Sequence, residues 1–369
     1  MKNNLFSDKK MREEFLDRTD ELHKEFLERS IVVSASDDDQ KKLLAYTNTV
    51  KSVSEYRIVY PKDRREEELR IVYPKDRLKE ILMKEERNIP ISVALNMERF
   101  SRPAYFVQNN SFDIRNTPFV SEQINNRVNN AKTLIEKVIP SVGRINLRNH
   151  SRLSWVGSGW VVAKNVLVTN RNVAAKFAGR EGDGFVFIQS EKGTAKASLD
   201  IVSEHKSQQE KLYKLREVLW IAPPSEPYDI AFLSIDEESG NDEKQPPPIN
   251  LIDKATFEEI ANDHWIAVIG YPSRSNYDDI TDQQRIFKGI YGVKRILPGQ
   301  IKGINHNTGI VEHDSSTLIG SSGSLMLDLT SGKAIALHFG SIQDEEKKII
   351  NKAVAAPVIQ KLLQKHVFG

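Results

Sequence analysis

"GSGWVVAKNVLVTNRNVA", residues 157–174, decides how this chain is read. Two apolar runs, at 160–163 and 166–168, flank Lys164 and Asn165, the pattern of two short strands joined by a tight polar turn. The residues from Arg171 to Ala174 then fit a short helical turn, which would hold a side chain out at the end of the second strand. The side chain so placed belongs to Asn172.

From about Lys137 onward the texture is one of short β-rich runs broken by Gly, Pro, Asn and Asp. About eleven candidate strands occur there, including "VGRINL", "DIAFLSI", "HWIAVIGYP" and "KAIALHFGS", and this density of strands and turns fits an all-β sandwich or barrel. A polar, proline-rich connector, "SGNDEKQPPP" at 239–248, divides the region into two β halves. The expected division is therefore 137–245 and 246–369. "AAPVIQKLLQKHV", 355–367, closes the chain as an amphipathic helix with Pro near its start.

Two more segments carry chemistry. In "TLIGSSGSLMLD", 317–328, a Gly-x-Ser-Gly turn precedes an apolar strand, so it can expose the Ser322 hydroxyl and aim consecutive backbone N–H groups at one point. In "YDIAFLSI", 228–235, Asp229 stands at the mouth of an apolar strand, where a partly buried carboxylate can orient a partner's N–H. Alone, either could be an ordinary turn.

Together and in this order they resemble the trypsin-like (chymotrypsin-fold) serine peptidases, in particular cytoplasmic bacterial members without disulfides. The resemblance rests on "GSGWVVAKNVLVTNRNVA", "YDIAFLSI", "EHDSSTLIGSSGS" and "ALHFG", and covers the chain from about Ile139. It implies a mainly β fold of two six-stranded antiparallel barrels with the active site between them. Asp229 would be the orienting acid, Ser322 the nucleophile, and the N–H groups of Gly320 and Ser322 the oxyanion hole. The substrate pocket would be walled by Asp314, Ser316, Thr317, Ile319, His338 and Gly340. Hydroxyls with a histidine resemble the pocket of glutamate-specific members, whereas a carboxylate from Asp314 facing the pocket would select Lys or Arg.

The family's pattern reads Thr-x-x-His, but Thr169, Asn170 and Arg171 lead here to Asn172. An amide does not ionise near neutral pH and cannot take a proton from a serine hydroxyl. Asn172 is of a size to hydrogen-bond both Asp229 and Ser322, so the expectation is preserved geometry with lost chemistry. No other histidine is placed to substitute: His23, His150, His205, His264, His306 and His366 lie outside the motifs, and His313 and His338 would line the pocket. A change confined to one side chain fits a recent or deliberate replacement in an endopeptidase. The alternatives are a natural pseudopeptidase that binds peptide or protein without cutting it, and a scaffold with a merely structural β domain.

Composition limits the remaining classes. The 369 residues carry 53 Lys plus Arg against 51 Asp plus Glu, so charge gives no case for nucleic acid or a membrane surface as partner. With no cysteine, any nucleophile must be an oxygen, and neither disulfide nor thiolate metal site is available; no metal and no cofactor is expected. No apolar stretch reaches the ~20 residues of a membrane span, nor does the N-terminus contain a secretory apolar core, so a cytoplasmic location is expected.

Residues 1–136 lack catalytic motifs and are expected to form a mostly α-helical recognition or regulatory region that engages a protein partner. Met11, Phe15, Leu22 and Phe26 recur at helical spacing, and "SDDDQKKLL" from Ser36 offers Asp caps for a second helix. "RIVYPKDR" occurs twice, at 57–64 and 70–77, a local duplication to which no function is assigned. "RPAYFVQNNSF", 102–112, reads as a hairpin strand before an Asn-Asn turn. A helical adaptor joined to such a peptidase domain resembles effectors of bacterial defence systems, an analogy at the level of domain arrangement alone.

Overall fold

The computed structural model describes residues 102–114, 121–240, 242–275, 280–343 and 349–369, together with three short strands nearer the N-terminus. The expected helices at 11–27 and from Ser36 lie outside the described residues. Residues 1–94 and 95–369 form separate units. In the first, Val33–Ser34, Glu68–Val72 and Arg57–Val59 make a three-stranded sheet. Its register sets Arg57 against Val72, Ile58 against Ile71 and Val59 against Arg70, so the two copies of the repeat begin by pairing with each other.

The second unit starts with a hairpin, β1 (Tyr105–Gln108) and β2 (Ser111–Phe112). Asn109 and Asn110 both take positive φ, 53° and 56°, as a two-residue turn matched to strand twist requires and as Asn tolerates. Helices α1 (Glu122–Asn130) and α2 (Lys132–Val138) follow, and the Ser121 side chain accepts the Ile124 N–H to cap α1.

Two closed six-stranded antiparallel barrels follow. The first comprises β3 (Val142–Arg148), β4 (Trp155–Ala163), β5 (Val166–Thr169), β6 (Lys196–Asp200), β7 (Leu212–Ile221) and β8 (Ala231–Ile235), in the order β6-β7-β8-β5-β4-β3 and closed by β3 on β6. A single-turn helix, α3 (Arg171–Ala174), leaves the end of β5. In the second, β9 (Trp265–Gly270), β10 (Arg295–Asn305), β11 (Ile310–His313), β12 (Leu325–Asp328), β13 (Ala334–Gln343) and β14 (Ile349–Ala355) run in the order β9-β12-β13-β14-β11-β10, and β10 returns to β9. The expected terminal helix is α4 (Ala356–Leu363), with Pro in its first turn.

The central strands are apolar on both faces because both faces are buried. Val161 and Leu167 point into the first barrel, while Trp160, Val162, Val166 and Val168 point the other way into a core shared between the barrels. On the other side, Ile266, Val268 and Met326 fill the second barrel, and Ala267, Ile269, Leu325 and Leu327 join the shared core. Alternation with period two thus sorts one apolar run between two cores.

Residues 102–114 and 121–136, expected to belong to the separate N-terminal region, pack into that same shared core through Tyr105, Val107, Ile124, Val128 and Ile135. β1 also adds to the second barrel, with Phe106 opposite Arg295. The Arg295 guanidinium lies 3.3 Å from the Phe106 ring centroid and donates to the carbonyls of Ala104, Phe287 and Ile290. Beside it, the buried Lys294 ammonium donates to the carbonyls of Ile139 and Ile201 and faces Glu204 at 3.6 Å. Burial pulls Lys294 down to about 8 in spite of the opposing Glu204 and Asp200 charges.

Candidate active site

The two barrels meet where backbone touches backbone. The Ser158 N–H of β4 donates to the Ser322 carbonyl at 2.9 Å. Glycine permits this approach from both sides: a Cβ at Gly157 would lie 2.9 Å from the Ser322 carbonyl oxygen, and one at Gly323 only 2.0 Å from that of Ser158. Gly323 also has φ of +86°, a conformation L side chains avoid. Thr169 closes the corner, its hydroxyl donating to the Ser158 carbonyl at 2.7 Å.

Asp229 and Asn172 come together as the sequence leads one to expect. Asp229, which precedes β8, accepts the Asn172 backbone N–H at 3.0 Å on one oxygen and the Asn172 side-chain amide at 2.5 Å on the other. The first bond uses an N–H that the start of α3 leaves without a helical partner. Asp229 is 5% exposed, and burial pushes its carboxyl above the ordinary value against the lowering pull of the Asn172 N–H and the Arg171 charge.

Ser322 departs from expectation in two respects. Its hydroxyl donates to the Phe339 carbonyl at 3.3 Å, so the amide of Asn172 serves Asp229 and the hydroxyl serves a neighbouring strand. The turn before it, Ile319–Ser321, is wound as a 3-10 helix: Ser321 N–H donates to Leu318 O at 2.8 Å and Ser322 N–H to Ile319 O at 3.3 Å. In this conformation the N–H expected to serve an oxyanion hole is spent on Ile319. Gly320 is pressed so closely against Tyr271 that a Cβ would fall 2.3 Å from its carbonyl oxygen. The buried Ser158 hydroxyl donates to the Gly320 carbonyl at 3.2 Å and accepts the Tyr271 N–H at 3.0 Å. Sequence reasoning missed Ser158, whose one signal is a hydroxyl between the two glycines of "GSG" in an otherwise apolar strand.

Of the expected pocket residues, Ser316, Thr317 and Ile319 lead into this turn, the His338 carbonyl accepts the Gly323 N–H beside it, and Gly340 follows in β13. His313 and His338 share a hydrogen bond between Nε2 and Nδ1 at 3.0 Å, and Ser315 N–H donates to His313 Nδ1 at 3.3 Å. Thr317 donates to Asn351 Oδ1 at 2.7 Å, and Asn351 passes the chain on to the Ser315 carbonyl. Ile319 is 52% exposed at the rim. Asp314 differs from the sequence reading's alternative of a carboxylate offered to substrate, because it is buried in an ion pair with Arg102.

The other described histidines are engaged elsewhere. His150 accepts the Arg152 and Leu153 N–H groups, His205 packs at a tilt on Phe106, His264 pairs with Asp328, His306 meets the edge of Phe257 and His366 stacks on Trp220. His23 lies outside the described residues.

Residues 157–337 match the family model of the trypsin-like peptidase domain. No curated protein matches the chain. Among solved structures, the Rv3671c protein of M. tuberculosis H37Rv, as an inactive-form mutant, is 16% identical over 63% of this chain and 89% of its own, with a TM-score of 0.38. Its active form is 17% identical over 65% and 86%, with a TM-score of 0.40. The HtrA-type protease AlgW with a decapeptide is 17% identical over 68% of each chain, also at 0.40.

Proposed function

We propose that this chain is a serine endopeptidase of trypsin fold in which Asn172 occupies the place of the general base, leaving it inactive or nearly so as it stands. The family match over the barrels supports the reaction class, and the observation that carries the reading is the two-point grip of Asp229 on Asn172. A histidine there would receive the same carboxylate on one ring nitrogen and present the other to the nucleophile. That nitrogen would take the Ser322 Oγ proton as Oγ bonds to the substrate carbonyl carbon, then return the proton to the departing amine. For the oxyanion to be held, the Ile319–Gly320 peptide must turn so that the Ser322 N–H leaves Ile319.

The residue before the cut is acidic in this reading. The joined His313 and His338 rings wall the pocket and suit a carboxylate through a ring N–H, while the Ser316 and Thr317 hydroxyls, whose protons go to Arg102 O and Asn351 Oδ1, fix that wall in place. Asp314, the argument for a cation instead, is paired with Arg102 and Lys302. Residues 1–94 would recruit or regulate, with a protein partner, and the setting is the bacterial cytoplasm.

A fluorophosphonate probe tests the reading. Asn172→His should label at Ser322, and Asn172→His with Ser322→Ala should not. An Asn172→His protein that folds but leaves Ser322 unlabelled would favour the peptide-binding pseudopeptidase.

A further inference from the structure

Arg102 reaches the pocket wall from more than two hundred residues away in sequence and touches it twice. Its guanidinium donates to Asp314 Oδ2 at 2.5 Å and to Gln300 Oε1 at 2.8 Å, with both members of the ion pair 9% exposed. Its backbone carbonyl accepts the Ser316 hydroxyl at 2.8 Å. The guanidinium is centred 5.2 Å from the Trp265 ring, which further shields it from water.

Asp314 precedes Ser316 by two residues and Thr317 by three. Its other oxygen accepts the Gln300 N–H at 2.6 Å. The second cation near it, Lys302 at 3.2 Å, is shared with the exposed Asp263 at 3.1 Å and is itself partly open to solvent. Arg102 is therefore the buried partner of this carboxylate. An uncompensated negative charge in a dry wall acts over several ångströms and would repel an incoming carboxylate while attracting an ammonium or guanidinium.

We propose that Arg102 is a specificity-determining positioning residue: by neutralising Asp314 and fixing Ser316, it makes the pocket accept a side-chain carboxylate rather than a cation. The inference rests on the peptidase reading above. It gives the segment entering the second barrel from the N-terminal side a role in substrate choice, although that segment carries no group that touches the scissile bond. A purely structural tie would weaken all substrates alike, whereas a charge role discriminates between isosteric side chains.

The test uses the full chain with Asn172→His and peptides differing only in Glu, Gln or Lys before the cut. Adding Arg102→Gln should lower the Glu-to-Gln ratio of kcat/KM about tenfold, mainly through KM, as an uncompensated charge several ångströms from the ligand would. Adding Asp314→Asn to Arg102→Gln should restore the ratio, and Arg102→Lys should largely retain it. Asp314→Asn with Arg102 in place keeps the question open to measurement if Arg102→Gln does not fold, and should raise the ratio. A ratio unmoved by Arg102→Gln, unrestored in the double variant, or unmoved by Asp314→Asn would overturn the proposal. Failure of Asn172→His to cleave any peptide would instead remove the peptidase reading and this inference with it, whereas cleavage after Lys would uphold the peptidase and overturn the acidic preference together with this inference.

Discussion

Asn172 and Asp229 are joined twice, through the asparagine's backbone N–H at 3.0 Å and its side-chain amide at 2.5 Å. Asp229 thus orients both the backbone and the side chain of position 172. The carboxylate needs only donors to satisfy it, and an amide supplies one as well as an imidazole does. What the amide lacks is a site that accepts a proton near neutral pH. Geometry and chemistry are therefore separable at position 172.

Gly320→Ala in the Asn172→His protein should abolish fluorophosphonate labelling. Its Cβ would fall 2.3 Å from the Tyr271 carbonyl oxygen and 2.7 Å from the Trp155 ring, so the turn would have to shift. The same substitution should cost about 1–3 kcal/mol of stability, as overpacking does. Retained labelling at a normal melting temperature would show that the turn does not need to approach Tyr271.

His338→Gln in the same background should reduce cleavage after Glu more than cleavage after Gln. Because His313 Nδ1 accepts the Ser315 N–H, His313 Nε2–H donates to His338 Nδ1 at 3.0 Å, which leaves the His338 proton on Nε2 of a ring held in place; such an N–H bonds a carboxylate more strongly than an amide. Equal losses for the two peptides would assign His338 to packing alone.

Acid should destabilise the fold partly through Asp328. Burial pushes its carboxyl up, but hydrogen bonds from His264, Ser331 and the Thr330 N–H outweigh this and hold it down to about 2. Because the folded value is depressed, the stabilisation is present above the ordinary carboxylate range and is lost as pH falls from about 4 toward 2, about 2 kcal/mol in all. Asp328→Asn should be less stable at pH 6 and flatten the slope of stability against pH below 4. An unchanged slope would contradict the assignment.

Deleting residues 1–94 from the Asn172→His protein should leave cleavage of a short peptide within about tenfold, or about 1.4 kcal/mol of barrier. A longer deletion, through residue 125, would remove Tyr105, Val107 and Phe112 from the shared core and is expected to unfold the barrels. A folded 1–94 deletion that cleaves nothing would give the first unit a catalytic role.

The sequence was most legible where local pattern and tertiary environment agree. The strands of both barrels, the Asn109–Asn110 turn and the pairing of Asp229 with position 172 follow from apolar runs, turn residues and motif order. Less legible was anything set by contacts far apart in the chain. Arg102 and Asp314 are 212 residues apart, so no window of sequence reveals that one cancels the other. The 3-10 winding of Ile319–Ser321 was also hidden, since a peptide that turns either way leaves the same letters. Residues 102–138 carry helix and hairpin signals, but their apolar faces do not say which core they enter; that core is the one between the barrels.

Peptide hydrolysis by Asn172→His measures the central claim most directly. Losing a base or nucleophile in an unrelated serine protease costs on the order of a million-fold in turnover, so restoring His should raise activity by several orders of magnitude. Ser322→Ala should abolish the gain in that background and change almost nothing in the present chain, because the members of the triad act as one unit. An Asn172→His protein with a normal melting temperature that cleaves no member of a broad peptide library would contradict the account.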